Sequence, residues 1–340
     1  MEYEEMLREA RVRMDGHCSA CPECDGRACG NSIPGPGAKG SGDVSVRNFD
    51  AWREVRVNMD TLCDNVVPDT SVELFGQAMA SPIFAGPVGA VDMHYGDAYT
   101  DVSYNDVLVP ACADAGIVAF TGDGTDPHVM EAATRAIAAT AGRGIPTVKP
   151  WNDTTISEKL ELVRESGAFA VAMDVDAAGL PFLKNLDPPA GSMSVERLAR
   201  VIDSAERPFV VKGVMTAAGA LKAKAAGARA IVVSNHGGRV LDQCPATAEV
   251  LPEIADAVGG DMRVFVDGGI RTGVDVFKAL ALGADGVLVA RPFVTAVYGG
   301  AEEGVRLLAD RLASELADTM AMCGAARIAD ISRDMVRLTS

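Results

Sequence analysis

The sequence predicts an α/β protein: a (β/α)₈ TIM barrel over residues 81–340, preceded by a helical, Cys-rich N-terminal extension over residues 1–80. Three observations predict it. From about residue 80 onward, eight short apolar runs alternate with Ala- and Glu-rich helical stretches, the pattern of parallel strands covered on their outer faces. The interiors of those runs are apolar, but their C-terminal ends break into Asp174, Lys212, His236, Asp267 and Arg291, as the mouth of one closed barrel requires. Finally, 340 residues at 48% hydrophobic content are enough for one core of that size.

Taken in order, residues 1–14 (MEYEEMLREARVRM) read as a charged helix with no apolar signal segment. Residues 14–42 mix cysteines with Gly and Pro and lack periodicity, so they read as loop. Residues 45–59 (SVRNFDAWREVRVNM) return to a helical pattern. This region is expected to cap or flank the barrel rather than fold as a separate domain. The eight strands are SPIFAG (81–86), GIVAFTG (116–122), IPTVKP (145–150), AFAVAMD (168–174), PFVVKG (208–213), ARAIVVS (228–234), RVFVDG (263–268) and GVLVAR (286–291). Each interval has room for a crossover helix, such as SEKLELVRES (157–166) or GVDVFKALALG (273–283).

Charge excludes several classes. The 31 Lys and Arg stand against 47 Asp and Glu, a net −16, which argues against nucleic acid and anionic membrane as partners. No apolar run approaches the roughly 20 residues of a membrane span. A cytoplasmic location is expected, where cysteines serve as thiols or metal ligands rather than disulfides.

Two motifs carry chemistry. SNHGGRVLD (234–242) follows an apolar run and delivers an imidazole and a guanidinium separated only by glycines. A core strand has no use for that pair, whereas an active-site rim does. VDGGIRTG (266–273) sets Gly268 and Gly269 between a strand and a helix, so backbone N–H groups can approach a phosphate, with Arg271 and Arg291 to add charge-assisted contacts.

Together with VKGV, LPEI, KALALGA and ARPF, these motifs resemble the FMN-dependent α-hydroxy-acid oxidases and dehydrogenases, densely over residues 208–293 and thinly over 81–207. The resemblance implies FMN on the barrel mouth, its phosphate held by Gly268, Gly269, Arg271, Ala290 and Arg291. Asp267 would bind the ribityl chain, and Lys212 would stand beside flavin N1 and O2, favouring the anionic reduced form. Gly89, Thr121, Lys149 and Ser234 complete the implied cofactor contacts. His236 matches the family's base, Arg239 its carboxylate clamp and Asp174 the aspartate that orients the histidine. The implied partners are a small 2-hydroxy acid, an electron acceptor that stays open, and further copies of the chain in a homo-oligomer.

The sequence also departs from the family. Its N-terminal substrate-binding tyrosine has no counterpart, the strand-three end offers Lys149 and Trp151 in place of glutamine and tyrosine, and DVDAAGLPF (174–182) lacks the second carboxylate-binding arginine. Two readings follow: Lys149 supplies that cation, or the pocket serves another substrate. Trp151 reads as a wall over flavin or substrate. An FMN isomerase resembling type 2 isopentenyl diphosphate isomerase shares the phosphate region but not the SNHGGR pair. A flavin redox sensor remains the third reading.

Cys18, Cys21, Cys24 and Cys29 form a C-x₂-C-x₂-C-x₄-C run. Iron–sulfur cluster, zinc and reduced or redox-active thiols are all compatible with that spacing. Cys63, Cys112, Cys244 and Cys323 read as buried free thiols.

Overall fold

The computed structural model describes residues 1–65, 67–180, 183, 185 and 191–339, so Pro181 and Phe182 of the DVDAAGLPF segment lie outside the described residues. Helices α1 (Tyr3–Arg13) and α2 (Asp43–Glu54) precede a short strand β1 (Val55–Val57) and a hairpin, β2 (Val72–Leu74) with β3 (Gln77–Met79). Eight parallel strands follow and close on themselves: β4 (Ile83–Ala85), β5 (Val118–Thr121), β6 (Ile145–Val148), β7 (Val171–Asp174), β8 (Phe209–Val214), β9 (Ala230–Val233), β10 (Arg263–Val266) and β11 (Gly286–Val289), with β11 pairing back onto β4. Each falls on one of the eight runs read from sequence.

The outer layer is made by α4 (Asp101–Asp114), α5 (Pro127–Ala139), α6 (Asp153–Glu165), α7 (Val195–Ala205), α8 (Ala217–Ala225), α9 (Thr247–Val258), α10 (Gly273–Ala281) and α11 (Arg291–Met322); a short α3 (Val91–Tyr95) sits over the mouth after β4. Helix starts are written locally. The side chains of Thr100, Asp126, Asn152, Ser194, Thr216 and Thr272 each accept a hydrogen bond from a first-turn N–H.

Strand parity divides the core. Phe84, Val118, Phe120, Ile145, Ala172, Val210, Val232, Phe265 and Leu288 fill the barrel interior, while alternate residues such as Ala119, Met173, Val211, Val233 and Val266 pack outward against the helices. The β2–β3 hairpin supplies Leu74 and Met79 to the interior cluster.

The first residues are stitched to the barrel at several points. Helix α1 packs on α11, and β1 pairs antiparallel with β12 (Val336–Leu338). Helix α2 turns Val44, Asn48 and Trp52 inward at helical spacing; Trp52 Nε1 donates to Gly268 O at 2.8 Å. Lys39 Nζ donates to the carbonyls of Gly179 and Val240, tying the loop-rich segment to the rim. No described helix is long and apolar enough to cross a membrane.

Candidate active site

The interior parity runs to the C-terminal ends of the strands and, on β9, β10 and β11, one residue past them, and that continuation builds the site. Two residues beyond Ile145, Ala172, Val210, Val232, Phe265 and Leu288 stand Thr147, Asp174, Lys212, Ser234, Asp267 and Ala290. The β7–β8 register sets Asp174 beside Lys212. A cavity of about 400 Å³ opens above them, lined by Thr147, Asp174, Lys212, Asp267 and Ala290 and also by Gly89, Lys149, His236, Arg239, Gly268, Gly269, Arg271 and Arg291; Ser234, expected from sequence to touch the cofactor, is fully buried behind this lining.

Lys212 is 3% exposed, and its ammonium donates to Asp174 Oδ1 at 3.1 Å and Ser234 Oγ at 3.1 Å, with Asp267 Oδ2 at 3.4 Å. Burial opposes its charge, but the carboxylates of Asp174, Asp267 and Asp176 outweigh it and hold its pKa well above the ordinary lysine value. Ser234 Oγ is a hub: it donates to Asp267 Oδ2 at 2.9 Å and accepts from Lys212 and from the His236 N–H at 3.1 Å.

His236 occupies the left-handed region at φ 57°, a conformation rare outside glycine and concentrated at functional sites. Its Nδ1 lies 3.1 Å from Asp176 Oδ1 and 3.6 Å from Asp174 Oδ1. The sequence reading gave the orienting role to Asp174 alone; the nearer partner is Asp176, which that reading did not single out. Asp176 lies two residues past the strand end and packs on Gly213, where an added Cβ would meet Asp176 Cβ at 2.6 Å. Gly213 itself sits at φ 102° in the β8 irregularity. Burial works against the charge of Asp174, but His236, Lys212 and Lys149 depress its pKa below the usual carboxylate range. Asp176 is raised, by burial first and by Asp174 besides.

Arg239 Nη1 donates to Gly35 O at 2.7 Å and Gly37 O at 2.8 Å, so the loop-rich N-terminal segment holds the guanidinium. Its Nη2 lies 3.3 Å from His94 Nε2. His94 Nδ1 in turn accepts from the Gly35 N–H at 3.0 Å, which leaves the ring proton on Nε2. Burial and then Arg239 push the His94 pKa down to about 4. Two donors thus face one another across the rim. Sequence reasoning missed His94, and also Asn48, whose amide exchanges hydrogen bonds with Asn235 at 2.8 and 2.9 Å.

Two expectations about the lining are corrected. Trp151 does not join the described lining: its Nε1 donates to Asp123 Oδ2 at 2.6 Å, and the ring packs by the Lys159 ammonium, which pairs with Asp123 at 2.6 Å. Thr121 is buried but has the outward parity, and the lining residue at the equivalent place is Gly122. Thr147 takes the inward place on β6, and its Oγ1 is buried with no partner among the described residues.

The cavity fits FMN. Thr147 Oγ1 and Asp267 Oδ1 are buried and unpartnered, as polar groups awaiting a ligand would be. At Gly269, φ is 81° and a Cβ would collide with Asn48 O, so the turn before α10 presents bare backbone beside Arg271 and Arg291.

The four N-terminal cysteines carry free thiols of intermediate burial. Among the described residues, the tight group of metal-type ligand atoms is Asp174, Asp176 and His236, within 4.8 Å of one another, and it includes no cysteine. A single zinc ion needs sulfurs about 3.8 Å apart, given Zn–S bonds of about 2.3 Å in a tetrahedron. The cysteines are therefore not arranged as a zinc site. Of the other thiols, Cys112 and Cys323 are buried as expected, whereas Cys63 is exposed and Cys244 half-buried, because both sit on loops outside the barrel core.

The family model described as FMN-dependent dehydrogenase matches residues 36–189 and 185–338. A peroxisomal (S)-2-hydroxyacid oxidase of Arabidopsis thaliana is 31% identical over 324 residues, covering 85% of this chain and 87% of the relative. An L-lactate oxidase of Roseobacter sp. (strain GAI101) is 48% identical over 143 residues, 42% of this chain and 39% of its own. Among solved structures, a mandelate oxidase with 3,3-difluoro-2-hydroxy-3-phenylpropionic acid superposes with a TM-score of 0.80 at 28% identity, over 99% of this chain and 99% of that one.

Proposed function

Because the chain belongs to the FMN-dependent dehydrogenase family, whose relatives here are 2-hydroxy-acid oxidases and dehydrogenases, we propose that it oxidises a lactate-like L-2-hydroxy acid to the 2-oxo acid. The observation that carries this reading is the convergence of His236, Arg239 and Lys212 on one cavity, each held by hydrogen bonds to the surrounding chain.

His236 is the base. Its Nδ1–H is spent on Asp176 and Asp174, so Nε2 is the nitrogen free to take the substrate proton, and both carboxylates stabilise the imidazolium that results. Arg239 Nη2 and His94 Nε2–H are two donors 3.3 Å apart, and a substrate carboxylate oxygen seated between them would accept from both and relieve their opposition. His94 then does part of the work that the family assigns to its N-terminal tyrosine, and Lys149 on the cavity wall adds positive charge. Ile33, Met93 and Leu180 are among the apolar residues of the lining, which suits the substrate's side chain.

FMN would rest its phosphate on Gly268, Gly269, Ala290, Arg271 and Arg291, meet Asp267, Thr147 and Gly89 along its length, and face Lys212; when bound it supplies the acceptor for the two electrons released. The buried cation of Lys212 stabilises negative charge on whatever lies against it.

An anaerobic absorbance spectrum before and after a panel of L-2-hydroxy acids tests the proposal. Bleaching of the flavin band by at least one acid is the expected result; retained flavin that none of them bleaches would refute it. His236→Ala keeps FMN bound and loses the bleaching. A variant that still reduces at the wild-type rate removes His236 from the chemistry.

A further inference from the structure

The loop-rich N-terminal segment forms a second cavity, of about 120 Å³, and all four of its cysteines, Cys18, Cys21, Cys24 and Cys29, line it. They carry no disulfide. All four face one small cavity, yet among the described residues no three of their sulfurs stand within 4.8 Å of one another, as the ligands of a single ion would. That intermediate spacing suits a polynuclear centre, whose metals stand apart and spread their thiolates more widely than one ion does.

The surrounding charge points the same way. Arg271 and Arg291 line this cavity, and the hydrogen bonds of both guanidinium groups go to carbonyl oxygens: Arg271 to Cys24 O at 2.8 Å and Ile270 O at 2.7 Å, Arg291 to Gly237 O at 3.0 Å. Neither has a carboxylate partner among the described residues. Two further arginines on the wall, Arg53 and Arg311, pair with Asp275 and Glu315. Of the lining acids, Asp25 is bridged to Arg27 and Glu23 is exposed. The cavity is thus prepared for an anionic occupant held by sulfur. Tyr95, Arg271 and Arg291 also line the larger cavity, so the two chambers share a wall.

We propose that Cys18, Cys21, Cys24 and Cys29 hold a four-iron iron–sulfur cluster that serves as the one-electron outlet of the enzyme. The outlet role rests on FMN occupying the larger cavity and on hydroxy-acid oxidation there; the cluster itself does not. Oxidation of the alcohol carbon to a ketone releases two protons and two electrons. When bound, FMN would take the electrons as a pair, and the cluster held by the four cysteines would give them a one-electron route, in two transfers per substrate, to an external one-electron carrier protein, while the protons go to solvent. Arg271 and Arg291 balance the charge on both sides of the shared wall.

The test is iron, acid-labile sulfide and zinc analysis of protein purified anaerobically, repeated after anaerobic incubation with ferrous iron and sulfide. About four irons and four sulfides per chain are expected. One zinc per chain, or no retained metal after both treatments, overturns the proposal. Cys21→Ser should lose the iron while Cys244→Ser, outside the segment, keeps it; equal iron in both would move the ligands elsewhere. Electron paramagnetic resonance separates the two layers. Dithionite should give the signal of a reduced cluster whatever the substrate, and a hydroxy acid that bleaches the flavin should give the same signal. Flavin bleaching with a silent cluster would refute the outlet. An iron-loaded protein that no hydroxy acid reduces would sink the catalytic reading and leave the cluster standing.

Discussion

Asp176→Asn separates charge from geometry at His236, the proposed base. The amide keeps an oxygen to accept from His236 Nδ1, now 3.1 Å from Asp176 Oδ1, and removes only the negative charge. At an effective dielectric constant of about 20, an imidazolium at that distance gains about 5 kcal/mol from Asp176 and a similar amount from Asp174 at 3.6 Å. The Asp174 attraction survives the substitution. The net loss is therefore that of one charge-assisted hydrogen bond, about 1.5–3 kcal/mol, or roughly 10- to 150-fold in rate. Stopped-flow measurement of flavin reduction reads it directly. Stability should move the other way. Burial and Asp174 raise the Asp176 pKa on folding, so the folded chain binds that proton more tightly than the unfolded one. Ionisation at neutral pH therefore subtracts stability, beginning as pH rises through the ordinary carboxylate range near 3.8. The amide lacks that cost, and the thermal midpoint should stay at or above the wild type's. An unchanged reduction rate would show that Asp174 suffices; a slower rate with a lower midpoint would show damage to the fold instead of lost charge.

Three more outcomes follow from the geometry. Arg239→Lys loses the fork that spans the Gly35 and Gly37 carbonyls and the substrate side; kcat/KM should drop roughly 10- to 150-fold, and limited proteolysis should cut sooner within residues 30–42. Lys212→Met leaves Asp174 and Asp267 without their buried cation, so urea denaturation should show a loss of about 3–5 kcal/mol, and flavin content should fall. His94 has a folded pKa lowered from 6.5 to about 4, so the unfolded chain takes up the proton first as pH falls. Stability should decline from near pH 6.5 down to about pH 4 for this reason, and His94→Gln should decline less over that window in denaturant titrations.

The barrel and most of the mouth were legible because both are local. A period of two along each strand places Asp174, Lys212, Ser234 and Asp267 on the interior side, and the same period, followed strictly, marks Thr147 and Gly122 over Thr121. Helix starts, the glycine turn before α10 and the four-cysteine run are likewise properties of adjacent residues. What lies beyond the strand ends was not legible. Asp176 reaches His236 because the neighbouring strand bends at Gly213 to admit it. His94, on the short helix after β4, meets Arg239 from the loop after β9 only because the barrel is closed and the N-terminal segment lies across both. Trp151 stays out of the cavity lining, its N–H held by the buried carboxylate of Asp123, which also pairs with Lys159. The sequence by itself determined the strand count, the inward residues and the family. Tertiary structure alone decided which donors face each other and which carboxylate holds His236, because those contacts join residues distant in the chain, and their geometry is set by packing that no local pattern encodes.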